Sequence, residues 1–232
     1  MKEDILVNGE IEVEGRLVDA SNATLFVTIT DNEETTQAIY KPIAGERPLW
    51  DFPDGNLASR ERASYLISEA LGSGCIPLTI LRDGPFGIGA VQQWIDVNED
   101  IDLEIYFRED RPELRTVALL DAVLNNTDRK IGHLLPSTQG KLFVCDHGVT
   151  LHTDNKLRTV LWQWAGQPLT VEEHSQLNSF LIFMDSPESS ELRSLITVDE
   201  YSALRDRVVE LITTMKFPEP NEDWPHIPWP PF

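Results

Sequence analysis

The chain has 232 residues, 41% of them hydrophobic, and a formal net charge of −20. That length and apolar content suffice for a real core, in one domain or two small lobes. A surface so acidic repels phosphate backbones and anionic head groups, so neither nucleic-acid binding nor stable membrane association is expected.

The two cysteines, Cys75 and Cys145, suggest neither a disulfide framework nor a zinc knuckle and read as small buried hydrophobes. The first residues, MKEDILVNGEIEVEG, carry no apolar signal core. No stretch approaches the roughly 18 apolar residues of a membrane span. A soluble, cytoplasmic protein is expected.

Residues 10–41 read as β-rich. Ile11, Val13 and Leu17 alternate before a polar turn, Asp19-Ala20-Ser21-Asn22. Thr24 to Ile29 is a β-branched run, and a third run, Thr36 to Tyr40, ends at Lys41. The acidic stretch Asp31 to Glu34 lies between them as a loop. From Lys41 to Pro53, three prolines rule out a helix, while Trp50 and Phe52 argue that the loop packs down.

Asn56 is a candidate N-cap for a helix from Leu57 to Leu71, closed by Gly72. Ala63, Leu66, Ile67, Ala70 and Leu71 form its apolar stripe. Cys75 to Leu81 and Ala90 to Ile95 read as two further strands around the turn Arg82 to Gly87, giving a sheet of about five strands. Gly84-Pro85-Phe86-Gly87-Ile88-Gly89 lacks the Lys-Ser/Thr and helix of a phosphate loop and reads as a hairpin turn. Trp50, Trp94, Trp162 and Trp164 read as packing residues.

Beyond Pro112 the pattern turns helical. Leu114 to Leu124 has Val117, Leu120 and Leu124 at helical spacing, and Lys141 to Cys145 is a short strand. From Leu157 the chain is expected to be mainly helical, over Thr170 to Met184, Glu188 to Leu195 and Val198 to Thr214, the last opened by Thr197 as cap. Residues 217–232 hold six prolines and two tryptophans and should lie extended on the body. The boundaries expected are 1–97 for a β-rich lobe, 98–216 for an α-rich lobe and 217–232 for the Pro/Trp-rich tail. A hinge would fall near Trp94 to Glu99.

The chemistry-bearing segment is Asn125-Asn126-Thr127-Asp128-Arg129-Lys130-Ile131-Gly132-His133, followed by Cys145-Asp146-His147-Gly148. A helix ends in a polar loop, a short strand follows, and an Asp closes that strand before a glycine. Phosphoryl transfer needs a carboxylate near the acceptor hydroxyl, ligands for Mg²⁺ and a cation on the phosphates. Mg²⁺ takes one or two protein carboxylates and leaves its other positions to phosphate and water. Asp128 and Asp146 would supply those carboxylates from adjacent loops. Singly, each reads equally as a turn residue.

Asp128-Arg129 with His133 resembles the catalytic loop of phosphatidylinositol 3-/4-kinases, and Asp146-His147-Gly148 stands where kinases carry Asp-Phe-Gly. The chain resembles a small actinobacterial family described as phosphatidylinositol 3-/4-kinase-like. Lys41-Pro42 through Gly55, Asn125 through Leu135, Asp146 through Gly148 and Leu157 through Trp162 carry the likeness. The Tyr40-Lys41-Pro42 strand is also similar to that of HipA-type kinases.

The resemblance implies an α+β, two-lobed protein-kinase-like fold. It implies ATP with Mg²⁺, or Mn²⁺, as cofactors and an unidentified phosphate acceptor. Lys41 would hold phosphates, Glu61 would orient Lys41, and Asp128 would position the acceptor. His133 and Asp146 would hold metal. Ser21 and Asn22 would donate to phosphate oxygens, and Gln92, Gln93 and Trp94 would meet the nucleotide base. His133 in place of Asn and His147 in place of Phe depart from the pattern. Three functions follow: an active atypical kinase, a pseudokinase that binds nucleotide or docks a partner, and a phosphoinositide kinase.

Overall fold

The computed structural model describes residues 2–17, 22–221 and 223–232. β1 (Glu10–Arg16), β2 (Leu25–Asp31), β3 (Glu34–Pro42), β4 (Thr79–Gly84) and β5 (Gly87–Gln93) form one five-stranded antiparallel sheet in the order β1-β2-β3-β5-β4. Asp31 pairs with Glu34, so the acidic loop is a two-residue turn with Asn32 at φ 55°. Alternation buries Leu25, Val27 and Ile29 of β2 beside Ala38 and Tyr40 of β3.

A short helix, α1 (Lys2–Asn8), covers this face with Ile5 and Leu6. No expectation of it is drawn from the sequence. Seven residues are too few for a periodic signal, and burial rather than propensity holds so short a helix.

α2 (Leu57–Ala70) begins as expected, with Asn56 accepting the Ser59 N–H at 2.7 Å. The Glu46 carboxylate accepts the N–H groups of Leu57 and Ala58 at 2.9 and 2.8 Å. Removing the cap by Asn56→Ala should cost about 1 kcal/mol in a urea titration.

The apolar stripe of α2 packs mainly into the core of the helical half, where Ala63, Ile67 and Leu71 share one cluster with residues such as Leu114 and Val117. Polar residues of α2 are buried too, among them Ser59, Arg60, Glu61, Ser64 and Ser68. Ser64 bonds Thr150 at 3.1 Å, and Arg60 Nε donates to Glu200 at 3.0 Å.

The second half contains α3 (Leu103–Tyr106), α4 (Pro112–Leu124), β6 (Leu134–Pro136), β7 (Leu142–Val144), α5 (Val171–Asp185), α6 (Ser190–Leu195) and α7 (Val198–Thr214). Thr170 and Thr197 cap α5 and α7, each in a reciprocal pair with the Glu three residues on. This is the α+β arrangement expected, β-rich first and helical second. No helix among the described residues is long and apolar enough to cross a membrane.

Several expected boundaries move. The strand expected from Cys75 starts at Thr79, because Cys75 and Ile76 turn into the helical core and the Cys75 carbonyl accepts the Val144 N–H at 2.8 Å. Arg82 to Gly84 belong to β4, leaving Pro85-Phe86 as the hairpin turn. β5 ends at Gln93 rather than Ile95. Residues 157–169 form no helix, and β6 pairs with β7.

Candidate active site

Loops from both halves meet in a cleft of about 190 Å³. Lys41 of β3, Glu61 of α2, Asp128 and His133 of the loop after α4, and Asp146 after β7 all line it. So does Asn22, whose Oδ1 accepts the Arg47 N–H at 2.9 Å.

Lys41 donates to Glu61 and, at 3.0 Å, to Asp146. Burial alone would depress the Lys41 ammonium; Asp146 and Glu61 outweigh it and raise the pKa above its ordinary value. Asp146 is held well below the usual carboxylate range, first by Lys41. Both groups are therefore charged at neutral pH.

The local backbone explains how Asp146 reaches the cleft. Its φ is 63°, a left-handed conformation that Asp tolerates better than most residues. Gly148 follows because a Cβ there would meet the Leu57 Cβ at 3.0 Å. A side chain there would crowd the start of α2.

Asp128 is pinned by its own turn, with its N–H donated to the Asn126 side chain at 3.0 Å. Lys130 and Arg158 flank its carboxylate at 3.5 and 3.6 Å. Burial pushes the Asp128 pKa up; Lys130 opposes that and Asp146 adds to it, leaving the net shift upward. A raised carboxyl suits a group that takes a proton.

His133 Nε2 faces Asp146 Oδ2 at 3.5 Å, and its Nδ1 accepts the Lys130 N–H at 3.4 Å. With Nδ1 accepting, the ring proton sits on Nε2, toward the carboxylate. Metal-bound imidazoles show the reverse pattern, their second nitrogen donating. This geometry places the His133 ring beside the Asp146 carboxylate at the wall of the cleft.

Burial lowers the His133 pKa to about 4. Between about 4 and the ordinary 6.5 the unfolded chain binds the extra proton, so stability is lost as pH falls through that window. In His133→Gln, measured by denaturation in chelator, the slope should shrink by at most one proton, about 1.4 kcal/mol per pH unit.

Behind the cleft runs a buried polar spine that is only partly legible in the sequence. Arg129, fully buried, pairs with Asp121 of α4 at 3.0 Å and donates to the Cys145 carbonyl at 2.8 Å. Its Nη2 lies 2.6 Å from His147 Nε2. Asn126 and Thr159 complete the Asp121 carboxylate at 2.9 and 3.1 Å.

His147, where kinases carry Phe, is fully buried, and burial together with Arg129 holds it neutral. Its Nδ1 faces Glu61 Oε2 at 4.0 Å, and neither atom has a hydrogen-bond partner. A closure of about 1 Å would join them. Asp128-Arg129 is a local sequence pattern, whereas the pairing of Arg129 with Asp121 in mid-helix carries no sequence signal.

Other expected residues lie elsewhere. Ser21 falls outside the described residues, as does the rest of its turn before Asn22. Gln92, Gln93 and Trp94 do not line the cleft. The Gln92 amide donates to Thr79 at 2.7 Å, and the Gln93 and Trp94 N–H groups go to Leu78 and Gln37 at 2.8 and 3.1 Å. Those donors are spent within the sheet. Both cysteines are free thiols, and burial, followed by Asp146, pushes Cys145 up to about 12.

No family model matches the chain. Protein Rv2133c of Mycobacterium tuberculosis (strain ATCC 25618 / H37Rv) is 38% identical over 263 residues, an alignment spanning 98% of this chain and 94% of that protein. The chain belongs to the family of Protein Rv2133c.

Solved structures show the fold. The Golgi casein kinase with Mn/ADP bound matches with a TM-score of 0.58 at 12% identity, over 92% of this chain and 74% of that one. The hydra Fam20 with sugar matches with a TM-score of 0.56 at 13% identity, over 91% and 86%. The family of Protein Rv2133c therefore has a member with the kinase-like fold, β-rich first and helical second.

Proposed function

We propose that this protein is an atypical kinase that transfers phosphate from ATP, with Mg²⁺ or Mn²⁺, to an alcohol-bearing acceptor. The observation that carries the reading is the convergence of Lys41, Glu61, Asp128 and Asp146 on one cleft from four separate elements. A kinase-like neighbour of 12% identity that holds Mn and ADP supports nucleotide and divalent metal as the ligands.

In this reading Lys41 holds the nucleotide phosphates while Glu61 and the spine behind it fix the ammonium. Asp146 fits a hard divalent cation, being an ionised carboxylate at the cleft wall. The cation, when bound, neutralises charge on the phosphates. In the tautomer that accepts from Lys130, His133 orients Asp146 through Nε2. Asp128 aligns the acceptor hydroxyl and takes its proton, with Lys130 and Arg158 beside it. Asn22 faces the phosphates.

A second reading, the nucleotide-binding pseudokinase, is favoured by one feature. Lys41 and Asp146 are bonded to each other, so a ligand must separate the cation from the carboxylate before either can serve it. Among the described residues no three metal-ligating side chains form a group. The phosphatidylinositol 3-/4-kinase-like reading rests on Asp128-Arg129 and Asp146, and the net charge of −20 opposes a membrane substrate.

Thermal denaturation with ATP and Mg²⁺ or Mn²⁺ tests the nucleotide, and ATP turnover tests the enzyme. Absence of stabilisation in both metals sinks both leading readings. Stabilisation without turnover over a panel of acceptors selects the pseudokinase. Lys41→Met should lower nucleotide affinity at least about tenfold, since it removes one charge-assisted bond worth about 1.5–3 kcal/mol.

A further inference from the structure

The Pro/Trp-rich segment lies against the walls of the Asp128 loop. Its His226 carbonyl accepts the Thr159 N–H at 3.1 Å and the Trp162 indole N–H at 2.9 Å. Its Pro231 carbonyl accepts the Ile131 N–H at 2.8 Å, and the Phe232 ring stands over Gly132. Thr159 and Ile131 are the residues next to Arg158 and Lys130, the two cations that flank Asp128. The segment thus binds the main chain on either side of the carboxylate that would align the acceptor.

Its chemistry is that of a guest. Prolines have no N–H, so the segment offers carbonyls to donors and asks for few acceptors in return. Trp224 sits under Lys156 at 5.2 Å as an anchor. Ile227, Trp229 and Phe232 are exposed, Trp229 by 87%, and of residues 223–232 only Pro228 is buried, so apolar burial holds this stretch weakly. Residues 217–232 contain no Ser, Thr or Tyr, so none of them can receive a phosphoryl group on a hydroxyl.

We propose that residues 224–232 occupy the acceptor groove, and that the acceptor is an extended, proline-containing polypeptide that displaces them and takes over the same N–H donors. This rests on the kinase reading above. A Ser or Thr hydroxyl in that peptide forms the new O–P bond to the γ-phosphorus of ATP. The bond to the β-phosphate oxygen breaks, ADP leaves with that electron pair, and the hydroxyl proton passes to Asp128.

The test uses the full chain and its Trp224→Ala, Phe232→Ala double variant. The probes are a peptide of residues 223–232 and the same peptide with Ile227→Ser. Hydrogen exchange at the Thr159 and Ile131 amides should be at least tenfold faster in the variant and be slowed again by either peptide. With ATP and Mn²⁺, the variant should phosphorylate the serine peptide at least tenfold faster than the parent.

Unchanged exchange on adding peptide, in a variant that still binds nucleotide, overturns the groove. Peptide protection without any nucleotide binding overturns the acceptor assignment and the kinase reading together. If the variant does not fold, the parent decides. Exchange at the two amides as slow as at Val144 in β7 makes the segment a permanent part of the fold and overturns the proposal. Exchange at least 100-fold faster than at Val144 supports it.

Discussion

Asp146→Ala is expected to abolish stabilisation by ATP with Mg²⁺ or Mn²⁺ and to lower phosphoryl transfer on the order of 10³-fold or more. Metal assistance supplies several kcal/mol of charge stabilisation, and each 1.36 kcal/mol is about a factor of ten. ATP at 100 times its Kd stabilises a folded chain by about 2.7 kcal/mol, which for a chain of this size is about 5–11 °C in Tm. That whole shift should disappear in the variant.

The fold should persist, because the Asp146 carboxylate is in contact with solvent and Lys41 keeps its bond to Glu61. Asp146→Asn, which preserves shape, should behave alike. A metal-dependent ATP shift that survives in both variants would remove Asp146 from the metal site. His147→Phe provides the complementary result. It deletes the imidazole that faces Glu61 at 4.0 Å and could couple it to Arg129. Its nucleotide affinity should fall while the cleft carboxylates stay in place.

The largest stability effect is expected from Asp121→Ala. It leaves the fully buried Arg129 guanidinium without its carboxylate, and breaking such a pair from one side costs about 3–5 kcal/mol. Much of that is the penalty of an uncompensated charge. The double variant Asp121→Leu, Arg129→Met removes both charges and should recover most of the loss. Denaturant midpoints of the three chains check this. The double variant should still lose nucleotide binding, because Arg129 also holds the Cys145 carbonyl and His147, the residues on either side of Asp146. Recovery of stability together with full nucleotide binding would confine the spine to a packing role.

These two variants separate what a sequence reveals from what it hides. Patterns of local origin were legible. β-Branched and apolar runs placed β2 and β3, and the caps Asn56 and Thr197 marked the starts of α2 and α7. The order of Lys41, Glu61, Asp128 and Asp146 along the chain was enough to nominate one site, because each sits beside a strand or helix signal readable within a few residues.

What the tertiary structure alone decided lies in pairings between distant segments. The His133 ring, beside Asp146, accepts a backbone N–H from Lys130, a contact that no spacing reports. Gln92, Gln93 and Trp94 gave their donors to neighbouring strands. Asp121, His147 and Glu46 gained their roles from burial beside Arg129, Glu61 and the start of α2. A side chain's type and local period are properties of the sequence. Desolvation and hydrogen-bond partner are properties of the packed chain, and in this cleft those two quantities set protonation, orientation and the donors left over for a ligand.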